Sequence, residues 1–296
     1  MTQLKKKQLN RVLVFCGFTI PAFLAILLSV EIPFLMSVIS SFTKWNGLDR
    51  VQTFIGLENY KELFLDDSDM WKSMWFTLRL TLCSVVVINL VALFLAVLLD
   101  SDIKGKNTLR AAFYVPNIIS LIIIGYIWRF IFSAGFESFF QKTGWSVFMS
   151  SWLGDTHLVF FSVLLVSVWN ALGFYLVVYI AGLQSVPHDL IEASMIDGAS
   201  RPLRFFRITL PMIMPSITVC VFYSLSNGLK AFDVILSLTN GGPGNATTTV
   251  ALDIYRTAFV INRFGYGTAK SVILFLMILL LSILQVRSFK QKEVEV

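Results

Sequence analysis

"EASMIDGASRPLRFFRITLP" occupies residues Glu192–Pro211, between two long apolar runs. Five charged side chains make this stretch a connection between membrane spans, and it carries more signals than a simple connection needs. Ser185 and Pro187 form a cap followed by a first-turn proline, and Asp189 places a negative charge where the dipole of a starting helix favours it. The helix can run to Asp197, where Gly198 supplies a left-handed stop. Ser200 and Pro202 restart a second helix, on which Arg201, Arg204 and Arg207 recur every third residue along one face. That helix enters the apolar "ITLPMIMPSITV", where Pro211 and Pro215 predict a bend. Physics leaves two readings of the short helix. It lies on lipid with its arginines on headgroups, or it docks a cytoplasmic partner, and its acidic face suits a protein groove better than an anionic leaflet.

The apolar neighbours fix the class. Of 296 residues, 56% are hydrophobic and only 14% charged, against about 25% charged in a soluble domain. No polar stretch reaches the roughly 50 residues an ordinary soluble domain needs. The expected fold is all-α and integral to the membrane, a single domain over residues 1–296 with six spans near 12–40, 75–99, 109–132, 158–182, 209–235 and 268–288. Each supplies the roughly 20 apolar residues that cross a bilayer. The first follows a basic segment, "MTQLKKKQLNR", as a signal peptide would, but its apolar stretch is too long and no A-x-A-like site follows, so it reads as a retained span. Glu31 and Pro33 interrupt this run; the alternative is a span followed by an interfacial piece, and Glu31 falls best at the outer boundary.

Orientation follows from Lys and Arg. One set of connections carries Lys5, Lys6, Lys7, Arg11, Lys104, Lys106, Arg110, Arg201, Arg204, Arg207, Arg287, Lys290 and Lys292. The other carries Lys44, Arg50, Lys61, Lys72, Lys142, Arg256 and Arg263. The richer set marks the cytoplasmic side, which places both termini and the 183–208 loop there. This distribution also explains the net charge of +6 without nucleic acid. Arg79, Arg129, Lys230 and Lys270 fall near span ends, where long side chains snorkel. On the outer side, residues 43–74 predict a short helix near 57–65 and interfacial anchors at Trp45, Trp71 and Trp75, and residues 236–267 contain a GGPG turn. That tract lacks the Gly-Lys-Ser/Thr ending of a phosphate loop, and Asn245-Ala246-Thr247 is a glycosylation sequon by pattern only. Cys16, Cys83 and Cys220 all lie in apolar runs, so they predict neither a disulfide framework nor a metal site, and His157 and His188 are far apart.

The loop resembles the "EAA" loop of permease subunits in bacterial ABC importers. The pattern is E-A-A, three residues, Gly, nine residues, then I-x-L-P; this chain has Glu192, Ala193, Ser194, Gly198, Ile208, Leu210 and Pro211 at those places, with Ser for the third residue. "FIGLENYKELF", "LRAAFYVPNIISLIIIGYIWRFIF", "FDVILSLTNGGPG" and "FGYGTAKSVILFL" are similar to the carbohydrate branch of that family, to its maltose-permease F-type more than its G-type subunits. The resemblance implies a type I importer permease fold in the bacterial cytoplasmic membrane, with Glu192, Ala193, Ser194, Asp197 and Gly198 coupling to an ATP-binding subunit. It implies as partners a second homologous permease, a dimer of ATP-binding subunits that hold ATP and Mg, and an extracellular or periplasmic solute-binding protein. This chain, without a Walker motif, would hydrolyse nothing and bind no cofactor or metal of its own.

Sugars need hydrogen-bond partners beside aromatic or apolar faces. Trp169, Asn170 and Tyr175 in the fourth span, and Tyr223, Ser224, Asn227, Lys230 and Asp233 in the fifth, offer both, and the resemblance implies that these two spans line the translocation path, so these residues are the expected solute path. The same residues also fit plain interhelical bonding, and Lys230 and Asp233, three apart, fit an ion pair. The alternative function is an ion-coupled secondary transporter of a small polar solute, which calls for inverted repeats that the chain does not display. No catalytic constellation of an enzyme occurs in the sequence.

Overall fold

A computed structural model describes residues 3–101 and 103–291. The chain falls into two compact units, one of residues up to Asp66 together with Ile254–Ile273, the other of Asp67–Asp253 together with residues from Leu274 onward. Among the described residues five helices are long and apolar enough to cross a membrane, or six when one bent pair counts as a span. Lys292 and the chain ends lie outside the described residues.

The first unit opens with α1 (Gln3–Ile26), a π-helical turn at Leu27–Glu31 and α2 (Ile32–Ser40). Glu31 and Pro33 do not split this run. Pro33 removes one backbone donor, and the winding loosens to a π turn just before it instead of ending. Strands β1 (Thr43–Lys44) and β2 (Thr53–Phe54) then pair antiparallel, Thr43 opposite Phe54, a small hairpin the sequence did not signal. Its loop is turned by Asn46, whose Oδ1 accepts from the backbone N of Leu48 and of Asp49 at 3.0 Å. Helix α3 (Glu58–Leu65) is the expected short helix. Its Asn59 donates to Ser41 O and Thr43 O at 2.8 and 3.0 Å, and its Glu62 receives a two-pronged bond from Arg263, both at 2.6 Å. In the same unit Lys270 does not snorkel: it is 3% exposed, donates to Thr257 Oγ1 at 3.1 Å and lies 4.9 Å over the Tyr266 ring.

The second unit is built on α4 (Ser68–Asp100) and α8 (Leu158–Gln184). Helix α4 starts ahead of its expected 75, because Asp67 accepts from Met70 N at 2.8 Å and caps it there. One face of α4 carries Ser73, Thr77, Thr81 and Ser84, all buried; small side chains let membrane helices approach closely. Helix α8 is capped by Asp155, whose carboxyl accepts from the backbone N of His157 and Leu158 at 2.7 and 3.0 Å and is held below the usual carboxylate range by those bonds.

Two expected spans are broken. The run at 109–132 is not one helix: α5 (Lys106–Ile118) ends in extended backbone at Ile119 and Ser120, and α6 (Leu121–Phe130) continues through a π turn at Ile131–Gly135 into α7 (Phe136–Thr143). The apolar helix long enough to cross is therefore Leu121–Thr143. After α8 comes α9 (His188–Ile196), then α10 (Arg201–Arg204), a π turn at Phe205–Thr209, α11 (Leu210–Met212) and α12 (Met214–Leu229). The prolines bend this run by 69° at Ile213, as expected, since Pro215 cannot donate back to Pro211 O. Arg201 and Arg204 lie in α10 and Arg207 in the π turn that follows it. The span ends at Leu229 and not near 235: residues 230–232 are irregular, and a separate α13 (Asp233–Leu238) follows. Asn240, Gly241, Gly244 and Asn245, all at positive φ, make the GGPG turn before α14 (Val250–Tyr255), a π turn at Arg256–Val260 and α15 (Phe264–Lys290).

The tightest approach of a glycine to another helix's backbone in the second unit is at Gly173 of α8, where an added Cβ would overlap Phe113 O and Tyr114 Cα of α5. Backbone cannot swing aside as a side-chain tip can. Gly173→Val is expected to lower stability by about 1–3 kcal/mol or more, read as a lower unfolding temperature of the purified protein in detergent. Gly198→Val meets open space, so it brings no overlap but only the strain of a branched side chain at positive φ, about 1–2 kcal/mol, and should lower that temperature less than Gly173→Val does.

Candidate functional site

Backbone that leaves a helix inside an apolar layer must find its hydrogen bonds elsewhere. At the α5–α6 break, Asn170 of α8 supplies one: its Nδ2 donates to Pro116 O at 2.7 Å. At the break after α12, Thr249 Oγ1 donates to Ala231 O at 2.7 Å, and at the start of α14 Thr77 Oγ1 of α4 accepts from Val250 N at 3.0 Å. The two breaks face one another across a cavity of about 460 Å³. Ser84 and Ile88 of α4, Asn117 and Ile119 at the first break, Phe174 and Tyr175 of α8, and Tyr223, Ser224 and Asn227 of α12 line it, and Lys230 to Asp233 close it at the second break.

Of the expected path residues, Asn170, Tyr175, Tyr223, Ser224, Asn227, Lys230 and Asp233 all reach this cavity. Trp169 does not; it turns to an aromatic cluster, edge-on to Trp128 at 5.5 Å between ring centres. That contact takes the Trp169 ring away from the cavity that its neighbour Asn170 reaches. Lys230 and Asp233 form no ion pair, because the irregular backbone at 230–232 removes the helical geometry that would bring i and i+3 together. Both charges therefore stay available to the cavity. The roles of the others divide. Asn170 is buried and engaged with Pro116 O, so it shapes the wall. Tyr175 and Ser224 are also buried, whereas Tyr223 and Asn227 are open. The aromatic wall is Phe174 and Tyr223, ring centres 4.6 Å apart. Phe174, Asn117 and Ser84 were not anticipated, since their access depends on where the helices break.

The second candidate surface is α9. Ser185 does not cap it: its Oγ donates to Gly182 O at 2.7 Å and finishes α8, while Pro187 takes the N-cap position of α9. The far end is closed as expected. Gly198 has φ +77°, Gly198 N donates to Met195 O at 3.1 Å and Ala199 N to Ser194 O at 2.9 Å, the paired bonds of a Schellman stop. Glu192, Ala193 and Asp197 are exposed, with the apolar Leu190, Met195 and Ile196, the last 87% exposed. Ser194 is turned inward and buried, its Oγ donating to Ile191 O at 2.6 Å. Among the described residues no group of three or more His, Cys, Asp or Glu is placed to hold a metal ion.

Residues 88–291 match the family of binding-protein-dependent transport system inner membrane components. The chain is 42% identical over 280 residues to the probable starch degradation products transport system permease protein of Thermoanaerobacterium thermosulfurigenes, covering 94% of both chains. It is 36% identical over 262 residues to the multiple sugar-binding transport system permease protein of Streptococcus mutans, covering 88% of this chain and 90% of that one. Its fold is similar to a chain in the crystal structure of a bacterial ABC transporter involved in the import of the acidic polysaccharide alginate, with TM-score 0.82 at 20% identity over 98% of this chain and 99% of the other. With its broken apolar helices and its match over most of the chain, this protein belongs to the binding-protein-dependent transport system inner membrane components, integral permeases of the bacterial inner membrane that are not themselves enzymes.

Proposed function

We propose that this chain is one membrane subunit of an ATP-driven importer of a mono- or oligosaccharide, with residues 1–296 acting as one permease domain and both termini and the 183–208 loop on the cytoplasmic side. The observation that carries the proposal is α9, a short helix held by turns at both ends that presents Glu192, Asp197, Leu190, Met195 and Ile196 outward. An exposed apolar set rimmed by carboxylates suits a protein cleft, since a lipid surface would repel the carboxylates. The cleft belongs to an ATP-binding subunit, where ATP and Mg reside. Glu192, Ala193 and Asp197 make the contact, Gly198 sets the angle, and Ser194 fixes the helix to its own chain. A second homologous permease and an outer solute-binding protein complete the assembly. The relatives that carry starch degradation products and multiple sugars support the carbohydrate class.

In the cavity the Phe174–Tyr223 wall offers an apolar face to a sugar ring, and Asn227, Lys230 and Asp233 offer donors and acceptors to its hydroxyls. Transport then follows from linkage of the two surfaces. The helix α8 that forms the cavity wall leads into α9, and the bent run after α9 leads into α12, the opposite wall.

Affinity purification of the tagged chain from native membranes in mild detergent should recover a second permease and ATP-binding subunits. Recovery of this chain alone, with uptake that survives ATP depletion and stops when the proton gradient is dissipated, would establish the secondary-transporter reading instead. In the assembled transporter, Gly198→Val forces a branched side chain into left-handed backbone at about 1–2 kcal/mol; uptake and solute-stimulated ATP hydrolysis should fall together while membrane content stays unchanged. Asn227→Ala removes about one hydrogen bond to solute, so the KM of uptake should rise roughly 5-fold with little change in maximal rate.

A further inference from the structure

We infer that Tyr179, Asn89 and Ser224 form a hydrogen-bonded latch that closes the cavity on the side of the 183–208 loop, and that this latch is the gate that must open for solute to leave toward that loop. The inference rests on the reading of the cavity as the solute path.

The latch joins three helices. Tyr179 of α8 donates its hydroxyl proton to Asn89 Oδ1 of α4 at 2.6 Å, and Asn89 Nδ2 donates to Ser224 Oγ of α12 at 3.1 Å. Each end is also held. Asn89 Nδ2 lies 2.7 Å from Val85 O, and Ser224 Oγ donates to Val221 O at 3.1 Å. Only Ser224 reaches the cavity; Asn89 and Tyr179 lie outside its lining. Helix α8 runs from Leu158 to Gln184 and so toward the loop, which puts Tyr179 about one turn, or ~6 Å, beyond the lining residue Tyr175. Helix α4 agrees, because Asn89 follows the lining residues Leu80, Ser84 and Ile88 toward the end nearest Arg110 and the loop side. Beyond the latch, buried Ala92, Ala96, Ile180 and Cys220 pack together in one apolar cluster.

This arrangement has the properties of a closure that cycles. Apolar side chains alone give little drive for helices to associate in lipid, whose tails are equally apolar, whereas a polar link specifies which helices meet. Such links are modest in strength, so a displacement of attached elements can break and remake them. The attachments are direct. Tyr179 lies on the helix that ends at the start of the loop, and Ser224 lies on the helix entered from the loop through the 69° bend. Asn89, on α4, belongs to neither arm. Movement of α9 thus shifts both outer members of the latch relative to its central residue. A link serving only to stabilise the bundle would not need to sit at the boundary between a polar cavity and an apolar seal.

Cys220 provides the test. It is 0% exposed, neighbours the Tyr179 hydroxyl and lies within the seal. The assembled transporter, with Cys16→Ala and Cys83→Ala so that Cys220 is this chain's one thiol, is placed in proteoliposomes with the loop side outward. It is then treated with a membrane-impermeant cationic methanethiosulfonate. Asn89→Leu, which keeps size and removes both bonds, should raise the modification rate of Cys220 at least 10-fold, and Tyr179→Phe, which removes one oxygen, should raise it by less. ATP hydrolysis should persist in both while solute uptake falls. Should Asn89→Leu fail to assemble, Tyr179→Phe carries the test by itself. Unchanged protection of Cys220 in an assembled variant with an unaltered unfolding temperature overturns the latch and leaves a packing bond. The thiol readout uses no solute, so its failure is distinct from a failure of the cavity reading, which Asn227→Ala reports.

Discussion

Backbone groups inside an apolar layer must be bonded by the protein itself, and the architecture of the second unit follows from how that requirement is met where helices stop. Asn170 bonds Pro116 O at the α5–α6 break, Thr249 bonds Ala231 O at the break after α12, and Thr77 bonds Val250 N where α14 starts. Those bonds make irregular backbone tolerable at two places, and the cavity lies between them. A bundle of six uninterrupted helices would have satisfied every backbone group locally and would have filled this volume with side chains. The polar residues that line the cavity are therefore of two kinds. Asn170 completes the scaffold, while Asn227, Lys230 and Asp233 line the cavity without such a backbone role.

The same economy of connections links the cavity to the loop. Helix α8 and the bent run into α12 are both walls of the cavity and both arms of the 183–208 connection. Nothing softer than a helix separates Tyr175 from the start of α9 except the turn at Ser185 to Pro187. Rigid arms transmit displacement, whereas a flexible linker would absorb it. The Schellman stop at Gly198 and the proline bend at Ile213 set the angles at which these arms leave the loop, so local backbone chemistry there has a reach well beyond its own turn.

Much of this was legible in the chain. The apolar runs predicted the spans, and α8 matched its expected limits to within two residues because nothing in 158–184 breaks a helix. Gly198 and the paired prolines announced a stop and a bend because each acts through covalent geometry that neighbours cannot overrule. The fifth and third spans misled for one reason: hydropathy continues across 119–120 and 230–232 while the helix does not. The side-chain bonds at those breaks come from Asn170 and Thr249, remote in sequence. Lys270 misled in the other direction, since only packed neighbours such as Thr257 and Tyr266 make a buried lysine tolerable.

The sequence by itself determined that this chain lives in a membrane, roughly where its apolar runs lie, and where α9 stops, since hydropathy, glycine and proline act locally. It also contained most of the residues that share the cavity. Only the tertiary structure decided that they share it, that Trp169 is turned away, that Lys230 and Asp233 stand apart, and that Asn89 and Tyr179 meet Ser224. Those outcomes depend on helix rotation and on long-range side-chain bonds to broken backbone, and neither is encoded by any single stretch of the chain.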